Sequence, residues 1–500
     1  MRLPTFSILL LLACLTAVSA CASPYGATGP DDREAIARSG FSPGDVGYVL
    51  FDPDSGAVLA ERQPAKPFVP ASVAKLPAMA AALSVLGPEH RFETTLHVAG
   101  RLSGGVLDGD LILRGGGDPS LSTEGLMELL RDLGALGVTR VTGRFLYDAS
   151  ALPEMPEIDA GQPWTAGYNT GVGALSLNFN RFRFDWSRAA AGQPVRVSAW
   201  SVSDAGRVPL DSVTVQLAAG LEAGMQAGAG APFTPIAAAN GEAANGEAAN
   251  GEAEGERWRF APQPGMAASL WLPVTRPGLA AAHVFRRLAA ESGIALPAPA
   301  PGAVPPTATL AALHRSEPLE VLARQVLRYS NNLSAELIGL AAARRLDPAV
   351  RTLPQSAAVL TTPAMMAAPP TDWSGLSLVN HSGLSAASRI TPAQTMALMR
   401  GAGPAVLALL PGEDEGKALP PGVRAKSGTL AYAKALAGTL TTASGRTLGF
   451  AFFVTDEAQR AAMDRAMDRR IAEIPPEARA WLARARKLQT NLLELWITGL

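Results

Sequence analysis

Cysteine is almost absent. The 500 residues hold two, Cys14 and Cys21, both close to the N-terminus. No internal disulfide can form beyond residue 21, so stability there must come from packing. Histidine is scarce at five, and no His-Glu-x-x-His or cysteine cluster suggests a metal. An excess of either charge is missing as well. A formal net charge of −1 gives no argument for nucleic acid or an anionic membrane surface as partner. Beyond the N-terminal segment no stretch reaches about 18 apolar residues without a charge, a proline or a polar break, so no transmembrane helix is expected there. Lysine is the last shortage. There are six (Lys66, Lys75, Lys417, Lys426, Lys434 and Lys487) among 43 basic residues, so the place of each one carries information.

What remains is the composition of a globular chain: 48% hydrophobic and 17% charged, long enough for two to four domains. Residues 1–20 read as a signal peptide. Arg2 is a thin basic region, residues 6–17 are mainly apolar, and Val18-Ser19-Ala20 supplies the small residues of a cleavage site. Two readings of Cys21 stand. Val18-Ser19-Ala20-Cys21 resembles a bacterial lipoprotein box, with Cys21 as a lipid anchor; the other reading is ordinary cleavage after Ala20. The first is favoured, because a free thiol is a poor leftover in an exported protein. Either way the chain is expected to be exported, to the periplasm or to an outer-membrane anchor.

The chain is organised around Pro70-Ala71-Ser72-Val73-Ala74-Lys75-Leu76, followed by an Ala-rich apolar run at 78–86 that reads as a buried helix starting near Ser72. Residues three apart share a helix face, so the Ser72 hydroxyl can meet the Lys75 amine. A serine needs a base to attack at neutral pH, and a buried lysine can be that base. The pattern alone is weak, since a surface lysine after a capping serine looks the same. Yet this is the chain's only Ser-x-x-Lys, and apolar Phe68-Val69-Pro70 and Leu76 flank it.

Residues 46–51 and 57–60 read as a hairpin about the turn Asp52 to Gly56. From residue 91 to 277 short alternating runs, such as 141–148 and 179–186, are separated by Gly-rich turns, which reads as a mainly β insertion. Gly115-Gly116-Gly117 lacks the spacing of a phosphate loop and reads as a turn. An Asn-Gly-Glu-Ala-Ala repeat from Asn240 to Ala253 reads as a disordered surface loop near 236–256. Helices are expected at 280–293, 319–327 and 333–345, with a Pro/Ala linker at 297–306. Strands at 436–441 and 448–454 and closing helices complete an α/β core split by the insertion.

Two further stretches complete a constellation. Tyr329-Ser330-Asn331-Asn332 lies between helix candidates, where Ser330 can relay a proton and Asn332 can bind Lys75 and a substrate amide. Arg424-Ala425-Lys426-Ser427-Gly428-Thr429-Leu430 reads as a strand with Lys426 and Gly428 on one face and Ser427 and Thr429 on the other. Lys426 supplies positive charge, and Gly428 lets a substrate backbone approach. Each motif is modest, but the ordered set Ser-x-x-Lys, Ser-x-Asn, Lys-Ser-Gly is close to that of penicillin-binding proteins and β-lactamases.

In these motifs the chain resembles the D-alanyl-D-alanine carboxypeptidase/endopeptidase family, the low-molecular-mass class C penicillin-binding proteins of peptidase family S13. The likeness also runs through Leu86-Gly87-Pro88-Glu89-His90-Arg91-Phe92, Gly116-Gly117-Asp118-Pro119-Ser120-Leu121, Ser330 to Glu336, Ser382-Gly383-Leu384-Ser385 and Ala435-Leu436-Ala437-Gly438. It implies an α/β (α+β) fold with a β-lactamase/transpeptidase-like core: a five-stranded antiparallel sheet flanked by helices, with residues 32–90 and 278–500 catalytic and 91–277 an inserted accessory region. By that likeness Ser72 is the acylated nucleophile and Lys75 the base. Ser330 and Asn332 line the cleft, and Lys426, Ser427 and Thr429 bind the carboxylate end of a substrate or a β-lactam. The N–H groups of Ser72 and Thr429 form the oxyanion hole. Peptidoglycan stem peptides are then the substrate, β-lactams the inhibitors, and no cofactor is implied. Two departures stand out: Asn380-His381 where the family has Asp-Gly, which leaves that loop without an assigned role, and Ser427 where threonine is common. His381 reads as a loop histidine, since no Gly-x-Ser-x-Gly elbow is present. Two alternatives differ in class: a β-lactamase, against which the long insertion and the lack of a separate deacylating Glu argue, and a non-catalytic wall-binding lipoprotein, against which the three intact motifs argue.

Overall fold

The computed structural model describes residues 32–188, 195–218, 232–236, 255–262, 268–471 and 474–500. The expected signal peptide, Cys21 and the Asn-Gly-Glu repeat lie outside these. Among the described residues no helix is long and apolar enough to cross a membrane.

Val46–Phe51 is buried along its whole length, and such a continuous apolar run belongs inside a sheet. It pairs with Val58–Arg62 on one side and with Thr447–Thr455 on the other. Ala433–Thr441 and Val423–Leu430 follow, giving five antiparallel strands with Val423–Leu430 at an edge. The expected α/β core with its five-stranded sheet is therefore the observed one. Alternation along the strands splits their side chains between two layers. On one face Ala435, Ala437, Ala451 and Phe453 meet the Lys75–Leu86, Leu319–Tyr329 and Asn332–Leu346 helices. On the other, Leu436, Leu440, Phe450 and Phe452 meet the C-terminal helix Pro476–Gly499. That helix buries Ala478, Trp481, Ala485, Leu488, Leu492 and Trp496, a stripe at three- and four-residue spacing.

Among the described residues the insertion carries three further sheets. One packs Glu93–Ser103, Val106–Gly115 and Phe145–Asp148 against Thr309–Arg315 and Pro299–Pro301. Three expectations change in this region. The stretch 297–306 is not only a linker, because Pro299–Pro301 forms an edge strand, where proline's missing N–H is tolerated. The boundary at 277/278 also moves. Helix Pro277–Glu291 buries Leu279, Val284, Phe285 and Leu288 in the insertion's core, and Thr309–Arg315 lies in its sheet. The chain rejoins the first core at Leu319. Residues 179–186 also differ from the expected strand. Asn178, Phe179 and Asn180 all have positive φ (49°, 59° and 50°), and the strand begins at Arg181.

Candidate active site

The segment at Ser72 does not begin as an α-helix. Ala71–Ala74 is a 3-10 turn, and Lys75 opens the α-helix Lys75–Leu86. Pro77 is its third residue, where a missing N–H costs little. Ala71 is held at φ 44°, a conformation that disfavours a side chain. What holds it is close packing: a Cβ on Gly383 would sit 1.8 Å from Ala71 O. Ser72 is half-buried, and Lys75 is fully buried.

Three groups surround the Lys75 amine. Nζ lies 3.0 Å from Ser72 Oγ, 2.8 Å from Asn332 Oδ1 and 2.6 Å from Ser382 O. The last two can only accept. A neutral amine has two N–H groups and one lone pair. With both N–H groups used on Asn332 and Ser382, the lone pair is left for the Ser72 hydroxyl. Burial pushes the amine down to about 7, and the charge of Glu336 opposes that shift. An amine in that range can take a proton at neutral pH and return it.

Ser330 and Asn332 meet this centre through a turn between two helices. Ser330 ends Leu319–Tyr329 in the left-handed conformation (φ 60°). Asn331 caps the next helix, accepting from Ser334 N at 2.9 Å, and Asn332 is that helix's first residue. Lys426 Nζ donates to Ser330 Oγ at 2.8 Å. Burial, followed by the charges of Lys75, Lys417 and Lys434, holds the Lys426 amine well below its ordinary value. Asn332 Nδ2 donates to Tyr168 O at 3.1 Å, so the insertion forms one wall of the cleft.

The edge strand closes the other side. Lys426 and Gly428 are buried while Ser427 and Thr429 are exposed, as the alternation predicts. A Cβ on Gly428 would lie 2.5 Å from Pro70 O and 3.1 Å from Ser72 N, so the strand backbone passes directly beside the Ser72 N–H. The structure thus brings Ser72, Lys75, Ser330, Asn332, Lys426 and Gly428 to one cleft, with Ser427 and Thr429 on its rim.

The chain matches the family model described as D-Ala-D-Ala carboxypeptidase 3 (S13) over residues 35–223, 260–409 and 412–474. The chain belongs to the S13 family. Among curated S13-like relatives, a D-alanyl-D-alanine carboxypeptidase from Actinomadura sp. (strain R39) is 32% identical over 200 residues, which cover 38% of this chain and 37% of that one. D-alanyl-D-alanine carboxypeptidase DacB from Haemophilus influenzae is 29% identical over 143 residues, covering 28% and 29%. These alignments span only 37% and 29% of the relatives' own lengths. In fold, the crystal structure of penicillin binding protein 4 (dacB) from H. influenzae aligns with a TM-score of 0.69 at 20% identity, covering 93% of this chain and 99% of that one.

Several residues of the centre had no role assigned from the sequence, although Glu336 and Ser382 lie in stretches that match the family. Glu336 is fully buried behind Lys75, and its Oε2 and Oε1 accept from His381 N at 3.0 Å and Ser382 N at 2.8 Å. Burial raises its pKa, opposed by those bonds and by Lys75. A signal existed: Glu336 is four residues after Asn332, one helical turn away on the same face, inside an apolar run. The loop left without a role supplies Ser382 O to Lys75, and this needs no particular side chain. His381 is buried in that loop, its Nε2 2.7 Å from Ser356 Oγ; burial lowers it to about 3, so it is neutral and structural. Lys434, opposite Thr429 on the neighbouring strand, donates to Thr429 Oγ1 at 2.9 Å.

Proposed function

We propose that the protein is a serine D,D-peptidase that hydrolyses D-Ala-D-Ala termini or D-Ala cross-links of peptidoglycan through an ester on Ser72, and that it binds penicillin. The observation that carries this is the Lys75 amine, dry and near neutral pKa, shared between Ser72 and two fixed acceptors.

In this reading Lys75 takes the Ser72 proton as Oγ attacks the carbonyl carbon. The developing oxyanion is received by the N–H groups of Ser72 and Thr429, each worth roughly 10²–10³ in rate. The proton passes from Lys75, through Ser330, to the leaving amine, and the C–N bond breaks. Water then attacks the ester with Lys75 as base, releasing the acid and restoring Ser72. Asn332 holds Lys75 and orients the substrate amide. Lys426, Ser427 and Thr429 receive the terminal carboxylate, and Gly428 lets the substrate backbone lie along the strand. A β-lactam follows the same first step but retains its leaving amine in the ring, so the ester persists. Export, a periplasmic site of action and a lipid on Cys21 belong to the same proposal and rest on the N-terminal sequence.

The test is release of D-alanine from a synthetic peptide ending in D-Ala-D-Ala. Wild-type protein releases it and Ser72→Ala does not. Equal release by both, or none by either, would sink the proposal.

A further inference from the structure

The orientation of the Asn332 amide is set from outside the motifs. Asn332 Oδ1 accepts from Lys75 at 2.8 Å, and Nδ2 donates to Tyr168 O at 3.1 Å. Half a turn about χ2 would exchange the two, and the torsion itself barely distinguishes them. The Tyr168 carbonyl does, because it can only accept. In the turned amide, oxygen would meet that carbonyl and Nδ2 would face Lys75. An N–H aimed at the amine would occupy its lone pair, which Ser72 needs. One backbone carbonyl of the insertion thus keeps Lys75 ready to act.

Residues 157–169 form no helix or strand, so the place of Tyr168 depends on side-chain bonds along this loop. Buried Asn169 gathers it: Oδ1 accepts from Ile158 N and Asp159 N, and Nδ2 donates to Asp159 O and Glu157 Oε2. Gln162 donates to Leu384 O at 3.2 Å, in the loop that also supplies Ser382 O to Lys75. The outer anchor is Arg470, in the connection between helices Glu457–Ala466 and Pro476–Gly499. Its Nη1 lies 2.7 Å from Glu157 Oε2, 3.0 Å from Ala160 O and 2.9 Å from Gln162 O. Its carbonyl accepts from Trp164 N at 3.1 Å, and its guanidinium stands 5.6 Å from the Trp164 ring centre. Arg470 and Glu157 are 30% and 24% exposed, so water screens the pair only in part.

We propose that Arg470 is a positioning residue of the reaction: it fixes the 157–169 loop so that Tyr168 O holds the Asn332 amide with its oxygen on Lys75. The inference rests on the D,D-peptidase reading, in which neutral Lys75 is the base. Without the anchor, Glu157 and two carbonyls lose a donor and the loop can shift. The Asn332 amide is then free to turn. Its oxygen can bind the protonated amine, whereas Nδ2 can bind only the neutral one. The turned amide therefore lowers the pH at which Lys75 loses its proton, and it occupies the lone pair that Ser72 needs. Acylation slows and its acid limb moves down. The charged groups facing Lys75 are Glu336 on its helix and Lys426 on the edge strand, and both stay in place.

The experiment measures acylation by benzylpenicillin at about pH 6 and about pH 8, on either side of the Lys75 pKa. The readout is the ratio of the two rates within each variant, so uniform losses cancel. With the Lys75 amine at about 7, wild type is roughly tenfold faster at the higher pH. Arg470→Gln acylates about tenfold more slowly at the higher pH, and its ratio falls to about twofold, as expected when a charged amine loses one acceptor. Arg470→Lys keeps the charge on Glu157 and recovers part of both. A wild-type ratio in Arg470→Gln, whatever its absolute rate, overturns the inference, because a merely structural loss slows both rates alike. Should Arg470→Gln fail to fold, Glu157→Gln must lower the ratio, and no change there overturns it equally. A wild-type protein that is not acylated, or whose ratio is near one, would instead count against the peptidase reading and its Lys75 base.

Discussion

Glu336→Gln removes one negative charge from behind Lys75 while keeping the shape of the side chain. Attack by Ser72 needs Lys75 neutral, and burial sets its amine at about 7. The neutral fraction is then roughly one-half at pH 7 and one-tenth at pH 6, so acylation by a penicillin should fall about fivefold between them. The charge of Glu336 raises the Lys75 pKa. Without it the amine loses its proton at lower pH, the acid limb moves down, and the fall from pH 7 to pH 6 becomes smaller. The substitution has a second, separable effect. Both carboxylate oxygens accept backbone N–H bonds, from His381 and Ser382, and a glutamine offers only one oxygen. One buried N–H is left facing an amide N–H₂, which costs about 1–3 kcal/mol and lowers the melting temperature. Stopped-flow acylation across roughly pH 5.5 to 8, on both sides of the Lys75 pKa, reads the first effect, and thermal unfolding reads the second. A pH 7 to pH 6 fall in Glu336→Gln as large as in wild type, or larger, would refute the assignment of the acid limb to a Lys75 influenced by this charge.

Three other outcomes follow from the geometry. Gly428→Ala places a methyl 2.5 Å from Pro70 O and 3.1 Å from Ser72 N, so it should slow acylation by about 10²–10³ through the oxyanion site; an unchanged rate would mean the strand is not part of that site. Gly339→Ala puts a methyl 2.2 Å from the buried ring of His381, and overpacking there should cost about 1–3 kcal/mol in a melt and slow acylation by shifting Ser382 O; a variant of normal stability would contradict the packing. Lys434→Met removes the cation that reaches Thr429 Oγ1. Burial, with the charge of Arg486, sets that amine at about 8, so it is mostly charged at pH 7, and KM for carboxylate-terminated peptides should rise several-fold there. An unchanged KM would remove Lys434 from substrate recognition.

The parts of this molecule that could be read in advance are those where chemistry is written in side chains at fixed spacing. Ser72 and Lys75 share a face because they are three apart, and that survives the replacement of the expected α-helical start by a 3-10 turn. The edge-strand alternation at Lys426 to Thr429 follows from the two-residue period. What stayed hidden was of four kinds. Ser382 acts through its carbonyl, which any residue possesses. Glu336 closes a matching stretch without a role of its own, and only the fold shows the His381 and Ser382 N–H groups converging on it. The 277–315 segment has the same helical and strand periodicity whichever core it joins, so only packing assigns Leu279 and Phe285 to the insertion. The left-handed turn at Phe179 has no local signature beyond its two flanking asparagines.

The most direct test of the central claim is to incubate the protein with benzylpenicillin, digest it and locate the adduct by mass spectrometry. The ester should sit on Ser72, form faster as the pH rises through about 7, and be absent from Ser72→Ala. An adduct on any other residue, or none on a folded protein, would contradict the account.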